Sequence, residues 1–218
     1  MLIVKIIIFI LYSTSSYAFE VAHNIPYHNR YFVGRNDYLM DIQSKLHDDN
    51  IVNINGIGGI GKTQIAKEFA YNNKDKYDII WWFDAESSII EQYRKLAISL
   101  NKLGYTDIDT NLPSDVFLED IKDKLNSSNQ KILLVLDNLK DEDKLKEFLI
   151  NFNIENKHII VTSRIKFIEP SITISLFNSN ESISLLSSLI KDKNQEDLEK
   201  IAKILGNYPL NLVSFSYY

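Results

Sequence analysis

The sequence contains no cysteine, which removes disulfides, thiolate metal sites and cysteine nucleophiles together while leaving the redox compartment undecided. It has no excess of positive charge either. The net charge of -5 gives no basic surface for nucleic acid as a whole-chain property, so no nucleic-acid partner is expected. Glycine and proline are scarce, at 7 and 4 residues, and no internal repeat or low-complexity linker breaks the chain. The four histidines (His23, His28, His47, His158) show no metal-ligand spacing with one another. What remains is ordinary: 218 residues, 45% hydrophobic and 24% charged. That describes one globular domain with a buried core and room for a small appendage.

The N-terminus stands apart. Lys5 precedes an apolar run, Ile6 to Leu11, and Ser16-x-Ala18 fits the small-x-small pattern of a cleavage site before Phe19. Residues 1–18 therefore read as a signal-peptide-like segment, too short for a comfortable membrane span. A buried strand or a misplaced start codon are the alternatives. Export is the expectation if the segment is a signal, and a cytoplasmic protein if it is not.

Residues 19–35 read as a loop-like linker with Pro26 and Gly34, and Leu39, Ile42 and Leu46 then recur at helical spacing. Apolar runs of strand length follow at 51–54, 78–83, 131–137, 158–164 and 171–176, with helical patterns between them. "KILLVLD" is continuous and apolar, as a strand covered on both faces must be. Ser88 and Glu91 make a capping-box pair. Trp81 and Trp82 are expected to pack on opposite faces of the second strand. Strands alternating with helices predict an α/β fold, an approximately five-stranded parallel sheet with helices on both faces. The expected division is 36–178 for this domain and 179–218 for a helical extension.

The scarce glycines are concentrated where chemistry is expected. Gly56, Ile57, Gly58, Gly59, Ile60, Gly61, Lys62 and Thr63 fit G-x-x-x-x-G-K-[ST], the Walker A phosphate loop, between a strand and a helix. Such a loop turns backbone N–H groups onto an anion, and the helix start favours negative charge. Lys62 would reach the outer phosphates and Thr63 would place its hydroxyl on Mg²⁺. An apolar strand ending in an acid completes such sites by holding the metal, and "ILLVLD" ends in Asp137. A glycine turn that binds nothing, and a core strand with a turn-forming Asp-Asn pair, are the bland readings.

"YFVGR" (31–35), "GIGGIGKT" (56–63), "KILLVLDNL" (131–139), "IIVTSR" (159–164) and "GNYPLNLV" (206–213) occur in an order that resembles NB-ARC domains. These are P-loop NTPases of the STAND class, with a three-layer sandwich and an adjoining helical region. The resemblance implies that Phe32, Val33, Gly34 and Arg35 lie against the base and ribose. It also implies that the loop through Gln64 holds ATP or ADP, and that Thr63 and Asp137 hold Mg²⁺. Arg164 would be the sensor arginine near the γ-phosphate, acting with Lys62 and Asp137 in any catalysis, and Pro209 would pack beside adenine. An exposed arginine and a helix-starting proline are the plain alternatives for the last two.

Two departures shape the functional expectation. Asn138 stands where many members carry a second acid that polarises water, so hydrolysis should be slow unless Glu142, Asp84 or another acid substitutes. The family also continues into helical and winged-helix domains and a repeat array, whereas this sequence stops at Tyr218. The expectation is an ATP/ADP-binding module of a signalling or effector-type protein with little autonomous switching. Its partners would be an adenine nucleotide and another protein or a separate C-terminal repeat region. A slow P-loop ATPase and an exported scaffold with a vestigial site are the alternatives.

Overall fold

The structure, a computed structural model, describes residues 21–191 and 194–217. The signal-like segment 1–18 and Tyr218 lie outside the described residues. Six strands form one sheet in the order β1-β3-β4-β5-β2-β6, and every pairing is parallel. They are β1 (Ala22–His23), β2 (Ile51–Asn55), β3 (Ile79–Asp84), β4 (Ile132–Leu139), β5 (Lys157–Ser163) and β6 (Ser171–Thr173). The helices are α1 (Asn36–Asp49), α2 (Lys62–Asn72), α3 (Ile89–Lys102), α4 (Ser114–Ser127) and α5 (Glu142–Leu149), then α6 (Ser179–Leu189), α7 (Gln195–Ile204) and α8 (Pro209–Phe215). None of the described helices is long and apolar enough to cross a membrane.

Period-two alternation divides the strand side chains between two cores. Ile79, Trp81, Phe83, Leu134, Leu136 and Val161 face α3, α4 and α5, where Tyr93, Leu96, Phe117 and Phe148 are buried. Val52, Ile54, Ile80, Trp82, Leu133 and Ile160 face α1 and α2, meeting Ile42, Leu46, Ile65 and Phe69. Trp81 and Trp82 thus anchor opposite faces, as expected. Helices α6, α7 and α8 bury a separate small core around Leu185, Leu186, Leu198, Ala202 and Leu212. The result is a three-layer α/β sandwich, a parallel sheet with helices on both faces, with a helical extension.

Two details differ from the sequence reading. Residues 19–35 were expected to be loop-like, but Ala22 and His23 pair with Ile79 and Ile80 to make a sixth strand at the sheet edge. Two residues are too few to carry a pattern. Just beyond, the Asn24 side chain extends this edge: its Nδ2 donates to the Trp82 carbonyl at 2.9 Å, and its Oδ1 accepts from the Trp82 N–H at 2.6 Å. Ser88 accepts from the Glu91 N–H and caps α3, but the reciprocal capping box belongs to Asn178 and Glu181 at the start of α6.

Candidate functional site

At the carboxyl ends of β2, β4 and β5 the glycine loop 56–61 opens onto a cavity of about 450 Å³. In a parallel sheet this is where the strands deliver their terminal side chains and where the following helices begin. Ile60, 1% exposed, plugs the loop into the α1–α2 core, so the loop has a fixed floor. Gly59 sits at φ +73, and a Cβ there would come within 2.8 Å of Leu210 and of the Tyr208 hydroxyl. Both a left-handed backbone and a close neighbour therefore demand glycine at that position.

Lys62, the first residue of α2, turns its ammonium onto the loop, donating to the Gly56 carbonyl at 2.8 Å and the Ile57 carbonyl at 3.0 Å. Burial pushes its pKa below the ordinary lysine value, the nearby Arg164 guanidinium lowers it further, and Asp137 opposes both. Arg164 reaches across from the end of β5, its guanidinium 3.6 Å from where a Gly58 Cβ would lie. Two cations, one of them the desolvated Lys62 ammonium, thus converge on one glycine loop. An anion between them would relieve both the desolvation and the repulsion.

Asp137 is 4% exposed. It accepts from the Thr63 hydroxyl at 2.9 Å and from the Thr162 hydroxyl. Burial raises its pKa, while the bonds from Thr162, Thr63 and the Asn138 N–H act against that rise. Local geometry brings this about. The β4–β5 register slips between Leu136 and Leu139, so Asp137 and Asn138 together oppose one residue, a β-bulge. Asn138 adopts φ +63, and its N–H donates to the Thr162 hydroxyl at 3.1 Å. The bulge aims Asp137 at Thr63 and turns Asn138 outward into the cavity wall.

A hydroxyl oxygen and a carboxylate, already adjacent, fit a divalent cation that takes its other ligands from water and phosphate, the habit of Mg²⁺. Among the described residues no three His, Asp or Glu side chains gather into a larger metal cage.

The other sequence-derived residues fall in two places. Gly58, Gly59, Gly61, Lys62, Thr63, Gln64, Arg164 and Pro209 line the cavity. Pro209 is also the first residue of α8, as the helix-starting reading has it. Ile57 is 60% exposed, and Gly56 packs near the Ile174 carbonyl.

Phe32, Val33, Gly34 and Arg35 are elsewhere. Phe32 packs on the α1–α2 core and Val33 on the helical extension. Arg35 is 5% exposed, donating to the Ser175 carbonyl at 2.9 Å. Its guanidinium lies 4.3 Å over the Phe177 ring and 3.9 Å from Glu181. The Arg35 N–H donates to Glu181 at 3.0 Å. Glycine at 34, with φ +63, is what lets that carboxylate approach.

Several cavity residues were not singled out from sequence. Asn29, Glu86, Lys140, Leu210 and Val213 reach the site from four separate segments. The Tyr208 hydroxyl donates to the Gly58 carbonyl. Asn53, wholly buried in β2, donates to the Ser163 hydroxyl at 2.8 Å and accepts from the Phe167 N–H at 2.9 Å, fixing the turn that carries Arg164. A polar residue inside the apolar run "IVNIN" was the only available signal.

The family profile of the NB-ARC domain matches residues 35–196. No curated protein matches the chain in sequence. Among solved structures, a STAND protein with a tetratricopeptide repeat sensor from Pyrococcus horikoshii is similar, with TM-score 0.63 and 20% identity over 86% of this chain. This chain spans 30% of that protein's length. A Walker-type ATPase of Pyrococcus abyssi gives TM-score 0.62 and 15% identity, covering 88% of this chain and 69% of its own. Cdc6p from Pyrobaculum aerophilum gives 0.65 and 14%, covering 89% and 64%. These likenesses speak for the fold.

Proposed function

This chain belongs to the NB-ARC domain family, a family of nucleotide-binding modules, and on that premise we propose that it binds ATP or ADP with Mg²⁺ as part of a signalling or effector-type protein. The observation that carries the proposal is the convergence of Lys62 and Arg164 on the glycine loop, where Arg164 disfavours the Lys62 charge until an anion lies between them.

The phosphates would occupy the loop, with Lys62 exchanging its bonds to Gly56 and Ile57 for phosphate oxygens and Arg164 meeting the outermost phosphate. Thr63 and Asp137 would hold Mg²⁺, which supplies neutralising charge on the phosphates. Pro209, Leu210 and Val213 offer the apolar wall against which a base would lie.

Little autonomous switching is part of the same proposal. Among the bonds that fasten the helical extension to the sandwich are those of Arg35 with Glu181 and of Tyr208 with Gly58. A switch needs an element whose contacts differ between nucleotide states, and both fastenings would have to open together.

Calorimetric titration of the chain with Mg-ATP and Mg-ADP tests the proposal. Saturable binding is expected, weakened at least tenfold, or about 1.4 kcal/mol, in Lys62→Ala. Equal affinity in the two proteins would end it. A thermal melt gives the independent check, since a ligand at about 100 times its Kd adds ~2.7 kcal/mol to a native state that alone binds it.

A further inference from the structure

Asn138 occupies the position after the metal-binding strand and offers no carboxylate, yet the cavity wall contains one. Glu86, in the turn after β3, is the one carboxylate among the described residues lining the cavity. Resting on the nucleotide-binding reading, we propose that Glu86 takes the proton from the water that attacks the terminal phosphate of ATP, and that Asp84 is the positioning residue that holds Glu86 in place.

The topology brings this turn to the site. Asp84 is the register partner of Asp137 across the β3–β4 pairing, so the residues after each emerge side by side at the cavity. Asp84 itself is fully engaged. Its carboxylate accepts from the Glu86 N–H at 3.1 Å, from the Ser87 hydroxyl at 2.8 Å and from the Asn138 amide at 3.5 Å. Its backbone is clamped at both ends by the Gln92 side chain, at 2.7 and 2.9 Å. A carboxylate with that many donors is a brace and not a free base.

Glu86 is different. Among the described residues its side chain pairs with the Lys140 ammonium at 2.8 Å, in a pair whose side chains are 49% and 67% exposed. Exposed ion pairs hold weakly, so the carboxylate can leave Lys140 for a water in the cavity. Asn138, tethered to Asp84, stands beside it on the same wall and can orient that water through its amide.

In the step, the water oxygen bonds to the γ-phosphorus while the bond from that phosphorus to the β,γ-bridging oxygen breaks. The bridging oxygen keeps the electron pair and leaves on ADP. The proton shed by the water passes to Glu86, and orthophosphate is released. Positioned proton acceptors of this kind contribute about 10²–10⁴-fold to rate.

The test measures phosphate release from Mg-ATP with protein in excess, alongside calorimetric binding of the same nucleotide. Glu86→Gln should lose about 100-fold or more in rate with unchanged affinity and unchanged thermal midpoint. Glu86→Asp should retain part of the rate. Asp84→Asn, whose amide oxygen still accepts from the Glu86 N–H, should keep turnover that Asp84→Ala loses, a rescue that a purely structural role would not show.

Wild-type turnover in Glu86→Gln overturns the assignment. Wild-type protein that binds Mg-ATP without turning it over also overturns it, and leaves nucleotide binding standing. Absence of binding in the wild type removes both readings at once.

Discussion

Arg35 separates two accounts of the segment "FVGR". The family resemblance places it against the base and ribose, whereas the structure buries it among Ser175, Phe177 and Glu181, away from the cavity. Arg35→Ala removes a charged hydrogen bond to the Ser175 carbonyl, worth about 1.5–3 kcal/mol, and a ring contact worth about 1 kcal/mol. The ion pair at 3.9 Å adds little, and burial already lowers the guanidinium's pKa, so part of the gain offsets desolvation. The net cost should be about 2–3 kcal/mol. At ~2–4 °C per kcal/mol for a chain of this size, the thermal midpoint should fall by about 5–10 °C. Affinity for Mg-ADP, measured well below that midpoint, should be unchanged. A tenfold loss of affinity with an unshifted midpoint would refute the placement and return Arg35 to the nucleotide.

Two further outcomes follow from contacts outside that segment. Tyr208→Phe deletes the hydrogen bond to the Gly58 carbonyl while keeping the ring. It should lower stability by about 1 kcal/mol and speed amide exchange in α8 but not in α3, and identical exchange in α8 would contradict the fastening. His158 Nδ1 and the Tyr77 hydroxyl share a hydrogen bond of 2.6 Å, and the pKa of His158 is lowered from 6.5, first by burial and then by His47. The unfolded chain therefore binds this proton more readily than the native one. Stability from this group is complete above about pH 7 and declines as pH falls below the unfolded value. Melts between pH 7.5 and 5.5, on this linkage, should show a slope that flattens in His158→Gln, and an equal slope would count against it.

Much of this was legible in the sequence because the strands are long apolar runs and the glycine loop is a local pattern. Lys62 and Thr63 are set by spacing along one segment, and Asp137 by the end of one strand. Glu86, Asn29 and Tyr208 were not legible, since nothing local marks them and only the sheet order brings their segments together. Arg35 shows the complementary case. Its motif was visible at once, but its surroundings depend on Glu181, 146 residues away. Asn53 looked like an interruption of a strand, yet its side chain bonds to the turn behind Arg164 and to the strand leading there.

Asn24 has a consequence for how molecules of this protein can meet. A parallel sheet that ends in open backbone is a template on which another chain can add a strand, and the outer edge of β3 would be such a template beyond Ile80. The carboxamide of Asn24 carries one donor and one acceptor in the spacing of a peptide group, and it satisfies both backbone groups of Trp82. One side chain thus closes to strangers an edge that two residues of β1 begin to cover. Self-association by strand addition is blocked along that stretch of β3, which leaves the outer strands β1 and β6 as the sheet's edges.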